Sequence, residues 1–94
     1  MSNWINSICW DSDGLLPVIV QDVSTMKVIM FAWMNRKTLE ESIKKGKAIY
    51  WSRSRKQIWV KGEESGHYQE IEDMVLDCDN DVLLIKVKQE GGIA

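Results

Sequence analysis

The sequence predicts a mainly β fold with one helix (α+β), built as a small, strongly twisted sheet or a partly open barrel-like domain. Several short apolar or alternating segments are separated by turn residues, whereas one stretch has both the spacing and the end signals of a helix. The chain has 94 residues, so residues 1–94 are expected to form a single domain. A chain this short buries a small share of its surface, and five Trp and five Met supply bulky apolar side chains, so we expect a homodimer.

The first part of the chain predicts a β-hairpin. Residues 1–13 mix apolar and polar side chains, which is compatible with either a short helix or an edge segment. Residues 15–22 form a predicted strand, with Pro17 near its start or at a sheet edge. A turn over residues 22–27 leads to a second strand over residues 28–34. This second strand is apolar on both faces and is therefore predicted to be buried.

The one predicted helix follows this hairpin. Asn35 is expected to cap its start and Gly46 to end it, with two lysines in the last turn where they favour the helix dipole. Thr38 followed by Glu41 offers a second possible capping box. The inner face of the helix is expected to carry Leu39, Ser42 and Ile43.

The second part of the chain returns to β structure. Residues 48–55 are predicted to be extended, and residues 57–61 continue after a short turn. Residues 61–67 form a glycine-bracketed loop. Residues 68–76 and 82–88 alternate as strands do, and the acidic stretch between them is predicted to be their hairpin connection.

That acidic connection is the strongest candidate metal site. Asp77, Asp79 and Asp81 alternate with Cys78 and Asn80. Carboxylates bind hard cations, whereas a thiolate prefers zinc or another softer metal. If the backbone is extended, the three aspartates share one face, and if it bends into a tight turn they can surround one ion. The alternative is an acidic turn without a metal, in which the cysteine is a small buried hydrophobic residue.

A basic stretch is the candidate site for a phosphate. In a strand, Trp51, Arg53 and Arg55 would share one face and Ser52 and Ser54 the other. A guanidinium binds phosphate through a bidentate fork, and the tryptophan could stack on a flat base. The alternative is a solvated strand. The net charge of −2 and the pI of 5.3 argue against nucleic acid as a partner.

The glycine-bracketed loop holds further polar candidates. His67 is the only histidine, and it could bind a metal or move a proton near neutral pH. Glu63 and Ser65 could bind substrate hydroxyls or the hard cation. The alternative for all three is a solvated loop. The segment Trp33-Met34-Asn35 is predicted to be the end of a strand followed by the helix cap.

The two cysteines and the apolar runs bear on the compartment. Cys9 and Cys78 do not make a disulfide framework. No charged start precedes an apolar run, and the longest apolar runs fall short of the ~18 residues that span a membrane. We expect a cytoplasmic protein without a membrane partner.

Taken in order, these segments resemble the phosphoribosyl-AMP cyclohydrolase family of histidine biosynthesis. The resemblance implies a hydrolase, acting on a cyclic amidine, that opens the N1–C6 bond of the adenine ring of 1-(5-phosphoribosyl)-AMP. It also implies a homodimer with zinc and magnesium, whose sites form between subunits. The matching motifs are GLLPVIVQD (residues 14–22), AWMN (32–35), YWSRSR (50–55), WVKGEESGH (59–67), DCDND (77–81) and QEGG (89–92).

The resemblance assigns roles to individual residues. The family pattern continues after the Gly-Gly with a segment of the form Cys-His-Thr-Gly-x-x-Ser-Cys, so we expect the zinc site to need cysteines beyond Ala94, contributed by the partner subunit. Zinc lowers the pKa of its bound water to about 7, which supplies hydroxide at neutral pH. The implied roles are zinc ligand for Cys78, magnesium ligands for Asp77, Asp79 and Asp81, substrate binding for Arg53, Arg55, Lys61, Glu63 and Ser65, and proton transfer for His67.

Two other classes of function remain open at this stage. One is a non-catalytic module on the same fold that binds a divalent metal or a nucleotide. The other is a structural β-domain whose acidic hairpin mediates assembly. Zinc content and turnover separate the enzyme from the binding module, and an absence of any metal dependence in stability would favour the structural domain.

Overall fold

The structure, a computed structural model, describes residues 3–62 and 66–89. The described part is mainly β with one α-helix, which confirms that part of the predicted fold class. The segment before the first strand contains a 3-10 helix, so the short-helix alternative was correct there. The elements are the 3-10 helix Asn3–Ser7, β1 Leu15–Asp22, β2 Val28–Asn35, α1 Arg36–Lys45, β3 Ile49–Ser52, β4 Gln57–Val60, β5 Gln69–Leu76 and β6 Leu83–Gln89.

The strands form two separate sheets. The larger one is a mixed, four-stranded sheet in the order β2-β1-β6-β5, in which β1 pairs antiparallel with β2 and parallel with β6. Strands β5 and β6 form the predicted acidic hairpin, and β3 and β4 pair antiparallel as a two-stranded sheet. The mixed sheet does not close, because β2 and β5 are its edges and the β3–β4 hairpin packs beside β2 without extending it. The barrel-like alternative is therefore wrong.

One face of the larger sheet carries the core. Every second side chain of β1 and β6 points to this face, as the period of two requires. The helix and strand β3 cover it, and among the described residues no buried side-chain polar atom lacks a hydrogen-bond partner. The fully buried apolar side chains are Leu16, Val18, Val20, Met34, Leu39, Ala48, Tyr50, Leu83, Ile85 and Val87.

Strand β2 is not buried on both faces, contrary to the prediction. Ala32 and Met34 reach the core, but Val28 and Phe31 are 65% and 57% exposed. Phe31 lies on the outer face of the sheet, which nothing in the described part of the chain covers, whereas Val28 lies at the start of the strand, outside the core. An apolar composition on both faces therefore does not mean two covered faces here.

The uncovered side of the sheet bears a continuous apolar row. Phe31 on β2 pairs with Ile19 on β1, Ile19 pairs with Leu84 on β6, and Leu84 pairs with Val75 on β5. Partners in register lie on the same face, so these four side chains cross all four strands. Phe31 and Val75 are exposed and the other two are half-buried. We call this set the apolar row.

The helix begins and ends where the sequence indicates. The side chain of Asn35 accepts a hydrogen bond from the Thr38 amide at 2.8 Å, and the Asn35 amide donates to the Thr38 hydroxyl at 3.0 Å. The capping box is thus formed by Asn35 and Thr38, and not by the second possible pair. Gly46 ends the helix in the left-handed conformation, at φ 71°. No helix in the described ranges is long and apolar enough to cross a bilayer.

We expect Asn35→Ala to lower the free energy of unfolding by about 1 kcal/mol, because the Thr38 amide at the helix start loses its side-chain partner. For a domain of this size the corresponding fall in Tm is about 4–8 °C, measurable by thermal denaturation followed by circular dichroism. Lys37→Ala, at an exposed position of the first helical turn, is the matched control. Equal Tm values for the two variants would contradict the capping role.

Candidate active site

The acidic segment between β5 and β6 is a tight turn. The carboxylate of Asp77 accepts hydrogen bonds from the backbone amides of Asp81 at 3.0 Å and Val82 at 3.2 Å. Asn80 adopts a left-handed conformation at φ 61°, which asparagine tolerates better than most residues. Of the two predicted geometries, the structure adopts the one in which the carboxylates gather around one point.

The gathered carboxylates form an acidic triad in which the pKa values of Asp77 and Asp81 shift in opposite directions. One ligand atom each from Asp77, Asp79 and Asp81 lies within 4.8 Å of the others, and all three side chains are exposed. Hydrogen bonds, first from the Asp81 amide, lower the pKa of Asp77. The pKa of Asp81 is raised, mainly by its hydrogen bond to the Asp77 carboxylate and further by the charges of Asp77 and Asp79. Such an all-oxygen, mutually repelling set has the chemistry of a hard-cation site.

The thiols near the triad are both exposed. Cys78 is a free cysteine on the surface, so it is not the small buried hydrophobic residue of the alternative interpretation. Cys9 is also free, and its backbone amide donates a hydrogen bond to the carbonyl of Asn80 at 2.8 Å. The segment before β1 therefore lies against the acidic turn, which no sequence signal indicated. Within residues 3–62 and 66–89, the triad is the only group of three His, Cys, Asp or Glu side chains placed to share an ion.

The basic stretch departs from the predicted strand. Strand β3 ends at Ser52, and residues 53–56 form the turn to β4, with Lys56 at φ 54°. The expected alternation of arginines on one face and serines on the other therefore stops at Ser52. A turn of this kind points Arg53 and Arg55 in different directions, so they do not form one continuous basic face.

Each arginine lines its own hollow. Arg53 borders a cavity of about 520 Å³, and Arg55 borders a neighbouring one of about 320 Å³. Both hollows include Ser52 and Trp59, so they adjoin each other. We call the larger hollow the aromatic cavity, because its lining is Phe31, Ala32, Trp33, Trp51, Ser52, Arg53, Ser54 and Trp59.

The aromatic cavity contains residues that the sequence analysis did not select. The guanidinium carbon of Arg53 lies 4.4 Å from the ring centroid of Trp33, which the sequence analysis treated as the end of a strand. The available signal was the alternation in β2: once Ala32 and Met34 are assigned to the core, Trp33 must point to the opposite face. Trp59 could not have been found this way, because its strand is short and mostly exposed.

The glycine-bracketed loop is closed by its own backbone. The Gly66 amide donates to the Gly62 carbonyl at 2.7 Å, and Gly62 is buried at φ 92°. A Cβ on Gly62 would lie 2.5 Å from backbone atoms of His67 and Tyr68, so only glycine fits there. His67 and Lys61 are half-buried. Glu63 and Ser65, predicted to bind substrate, lie outside the described residues.

The register of the strands sets the distances between these parts. Trp33 pairs with Pro17 on β1, and Val18, the next residue, pairs with Leu83 on β6. Two strand spacings of about 4.8 Å therefore place Trp33 about 10 Å from the end of the acidic turn. His67 precedes β5 and Asp77 follows it, and the seven intervals between Gln69 and Leu76, at about 3.3 Å each, hold the two ends of the strand about 23 Å apart.

These neighbouring features define a class of protein: a small α+β domain with an acidic triad near an arginine-lined aromatic cavity. A family model described as phosphoribosyl-AMP cyclohydrolase matches residues 30–94. The chain belongs to that family of hydrolases acting on a cyclic amidine, as the resemblance in the sequence indicated.

Curated relatives support the same assignment over nearly the whole chain. The phosphoribosyl-AMP cyclohydrolase of Azoarcus sp. (strain BH72) is 57% identical over 99% of this chain and 71% of the relative. That of Methylibium petroleiphilum is 61% identical over 94% of this chain and 68% of the relative. The phosphoribosyl-AMP cyclohydrolase of Nitrosomonas europaea is 55% identical over 97% of this chain and 70% of the relative. The chain thus spans about 70% of the length of these relatives.

We predict that Asp81→Asn stabilises the metal-free protein and weakens binding of Mg²⁺ by about tenfold or more, since affinity follows the charge of the ligands. The raised pKa means that the contribution of Asp81 to stability is present below its unfolded pKa and lost as pH rises through the folded pKa. At neutral pH the ionised group therefore opposes folding, and the amide removes that effect.

The measurement is Tm at pH 7 with and without Mg²⁺. Asp13→Asn, an exposed aspartate outside the triad, is the matched control and should behave as wild type. A Mg²⁺-induced rise in Tm that is equal in wild type and Asp81→Asn would show that the triad does not hold the ion.

Proposed function

We propose that this chain catalyses the hydrolytic opening of the N1–C6 bond in the adenine ring of 1-(5-phosphoribosyl)-AMP, a step of L-histidine biosynthesis. Family membership supports the reaction, and the observation that carries the site is the strand register, which puts the backbone of Trp33, in the cavity lining, two strand spacings or about 10 Å from Leu83, directly after the acidic turn. A nucleotide bearing a second ribose phosphate is long enough to contact both. A cytoplasmic location belongs to the same proposal.

The cationic and aromatic groups bind the substrate in this proposal. Arg53 and Arg55 line separate hollows, which suits a substrate that carries two phosphates far apart on one molecule. Trp51 and Trp59 both line the aromatic cavity and offer flat apolar surfaces to the purine. Lys61 and, in the same loop, Glu63 and Ser65 complete the proposed substrate contacts.

The acidic turn holds the cations in this proposal. Asp77, Asp79 and Asp81 bind Mg²⁺, and their gathered carboxylates support that assignment. Cys78 is a zinc ligand, with the remaining ligands expected from cysteines beyond Ala94 in the partner subunit. The described residues supply too few ligands around Cys78 for a zinc site of their own. When bound, zinc supplies an activated water.

His67 moves the proton in this proposal. Within one chain it lies at the opposite end of β5 from the acidic turn, about 23 Å of strand away. Gly62 shapes the backbone that carries it. His67 of one subunit therefore acts at the acidic turn of the other, where it can donate a proton to the leaving N1 nitrogen.

The non-catalytic alternative has one observation in its favour. The acidic triad is complete within the described residues, whereas Cys78 is not part of any set of three potential ligands there. A protein that binds Mg²⁺ and a nucleotide but holds no zinc would leave the substrate intact.

Turnover and zinc content of two cysteine variants test the proposed function. Cys78→Ser should lose zinc and turnover yet keep the Tm of the metal-free protein, because the thiol is exposed. Cys9→Ser changes the other exposed thiol beside the same turn and should retain both. Product formation would be followed by the absorbance change on ring opening, and zinc by mass spectrometry of the intact protein. Full turnover in Cys78→Ser would reject the zinc assignment. Absence of turnover in the wild-type protein would reject the enzyme and favour the non-catalytic binding module.

The homodimer has a proposed surface. The apolar row crosses all four strands of the larger sheet, opposite the core, and the aromatic cavity borders it through Phe31. A second copy placed on this row would remove apolar surface from water and bring a second set of site residues to the cavity. The separation of His67 from the triad within one chain supports such shared sites.

We predict that Val75→Asp converts the dimer to a monomer, because it places a charge within the proposed interface, at the β5 end of the apolar row. Val23→Asp, at an exposed valine outside the apolar row, should leave the dimer intact. Sedimentation equilibrium of both variants gives the oligomeric state. If Val75→Asp still sediments as a dimer, the two subunits meet elsewhere.

A further inference from the structure

The contact between Arg53 and Trp33 joins two separate sheets. Trp33 belongs to β2 of the larger sheet, whereas Arg53 lies in the turn of the β3–β4 hairpin. The guanidinium carbon sits 4.4 Å from the centre of the indole ring, well within the range of a cation–π interaction. The ring itself is held by the edge of Phe31, at 5.5 Å between centroids and 81° between planes.

Because Arg53 lies in an exposed turn, its contact with Trp33 restricts a side chain that would otherwise have many orientations. Its side chain is exposed and follows the last residue of a short strand, so the backbone alone leaves the guanidinium many orientations. Among the described residues, neither ion pair involves Arg53. A guanidinium placed over a ring face keeps its N–H groups available at its edge for an anion. The indole therefore orients the charge without consuming its hydrogen bonds.

We propose that Trp33 is a positioning residue, which holds the guanidinium of Arg53 over the aromatic cavity in the orientation that binds a substrate phosphate. This inference rests on the proposed function for the identity of the substrate but not for the contact itself. It assigns Trp33 a role distinct from that of Trp51 and Trp59, which line the same cavity without a guanidinium over them.

The contact can be tested without substrate. In wild type, the Arg53 Nε–H resonance should show the upfield shift of a group above an aromatic ring and the relaxation of an ordered side chain. Trp33→Leu should abolish both, and Trp33→Phe, which keeps a ring face, should retain them in part. An Arg53 resonance that is the same in wild type and Trp33→Leu would overturn the proposal.

The functional consequence is tested by a double-mutant cycle. Trp33→Leu should raise KM about fivefold, the effect of an exposed cation–π pair, with kcat within about twofold of wild type. Trp33→Phe should recover most of that loss. In the Arg53→Ala background, Trp33→Leu should have no further effect on KM, whereas Trp51→Leu should multiply with Arg53→Ala. An equal effect of Trp33→Leu with and without Arg53 would show that the indole acts independently and would overturn the proposal.

Failure of this inference can be told from failure of the proposed function. If wild-type protein has no turnover, the same cycle is measured as the affinity for AMP by calorimetry, and coupling between Trp33 and Arg53 would still support positioning. Absence of coupling in that measurement would overturn it, and so would wild-type protein that does not bind AMP. If Trp33→Leu does not fold, Trp33→Met, which also lacks a ring face, provides the cycle with Arg53→Ala.

Discussion

The hydrogen bond between Tyr50 and Gln69 is the constraint on which the arrangement of the two sheets depends. Tyr50 lies in β3 of the small sheet and Gln69 in β5 of the large one, and both are fully buried. The tyrosine hydroxyl donates to the glutamine side chain at 2.6 Å, and burial raises the pKa of the hydroxyl, so it stays a donor. Breaking such a bond would leave a polar group unsatisfied in the core, at a cost of about 1–3 kcal/mol. Because the Ala48 amide also donates to the Gln69 carbonyl, the start of β3 is fixed to the start of β5. These two contacts therefore fix the orientation of the β3–β4 hairpin, and with it the position of the turn that carries Arg53 and Arg55.

The parallel pairing of β1 and β6 has a comparable effect at the other end of the sheet. It brings the beginnings of both strands together, so that the acidic turn before β6 lies beside the segment before β1. There the Cys9 amide donates a hydrogen bond to the Asn80 carbonyl. The parallel pairing also sets β2 two strands away from that turn. The acidic triad and the aromatic cavity are neighbours only because of this long-range pairing, since Trp33 and Asp81 are far apart along the chain.

Local chemistry was predictable from the sequence, and relations between elements were not. Asn35 and Gly46 marked the helix because capping needs only neighbouring residues, and the hairpin around the acidic cluster followed from alternation and turn residues. The burial of β2 was predicted wrongly because it depends on whether another element covers the outer face of the sheet, which composition does not tell. The prediction that Arg53 and Arg55 share one face was wrong, because β3 ends at Ser52, three residues before the end of the predicted extended stretch. The family resemblance identified the function through motif order, which is independent of those geometric errors.

The candidate site residues lie at opposite ends of β5, with His67 before the strand and the acidic triad after it, and this limits how one site can be assembled. A rigid strand of eight residues cannot bring its two ends together, so His67 and Asp77 of one chain cannot meet at one metal ion or one reacting atom. The aromatic cavity lies on the same uncovered face as the apolar row, and that face offers more apolar surface than scattered exposed residues would. If a second copy covers it, one association both buries the row and supplies the missing end of the site. Catalysis and dimerisation would then depend on the same surface, and a charge introduced into the row would impair activity even where it touches no substrate.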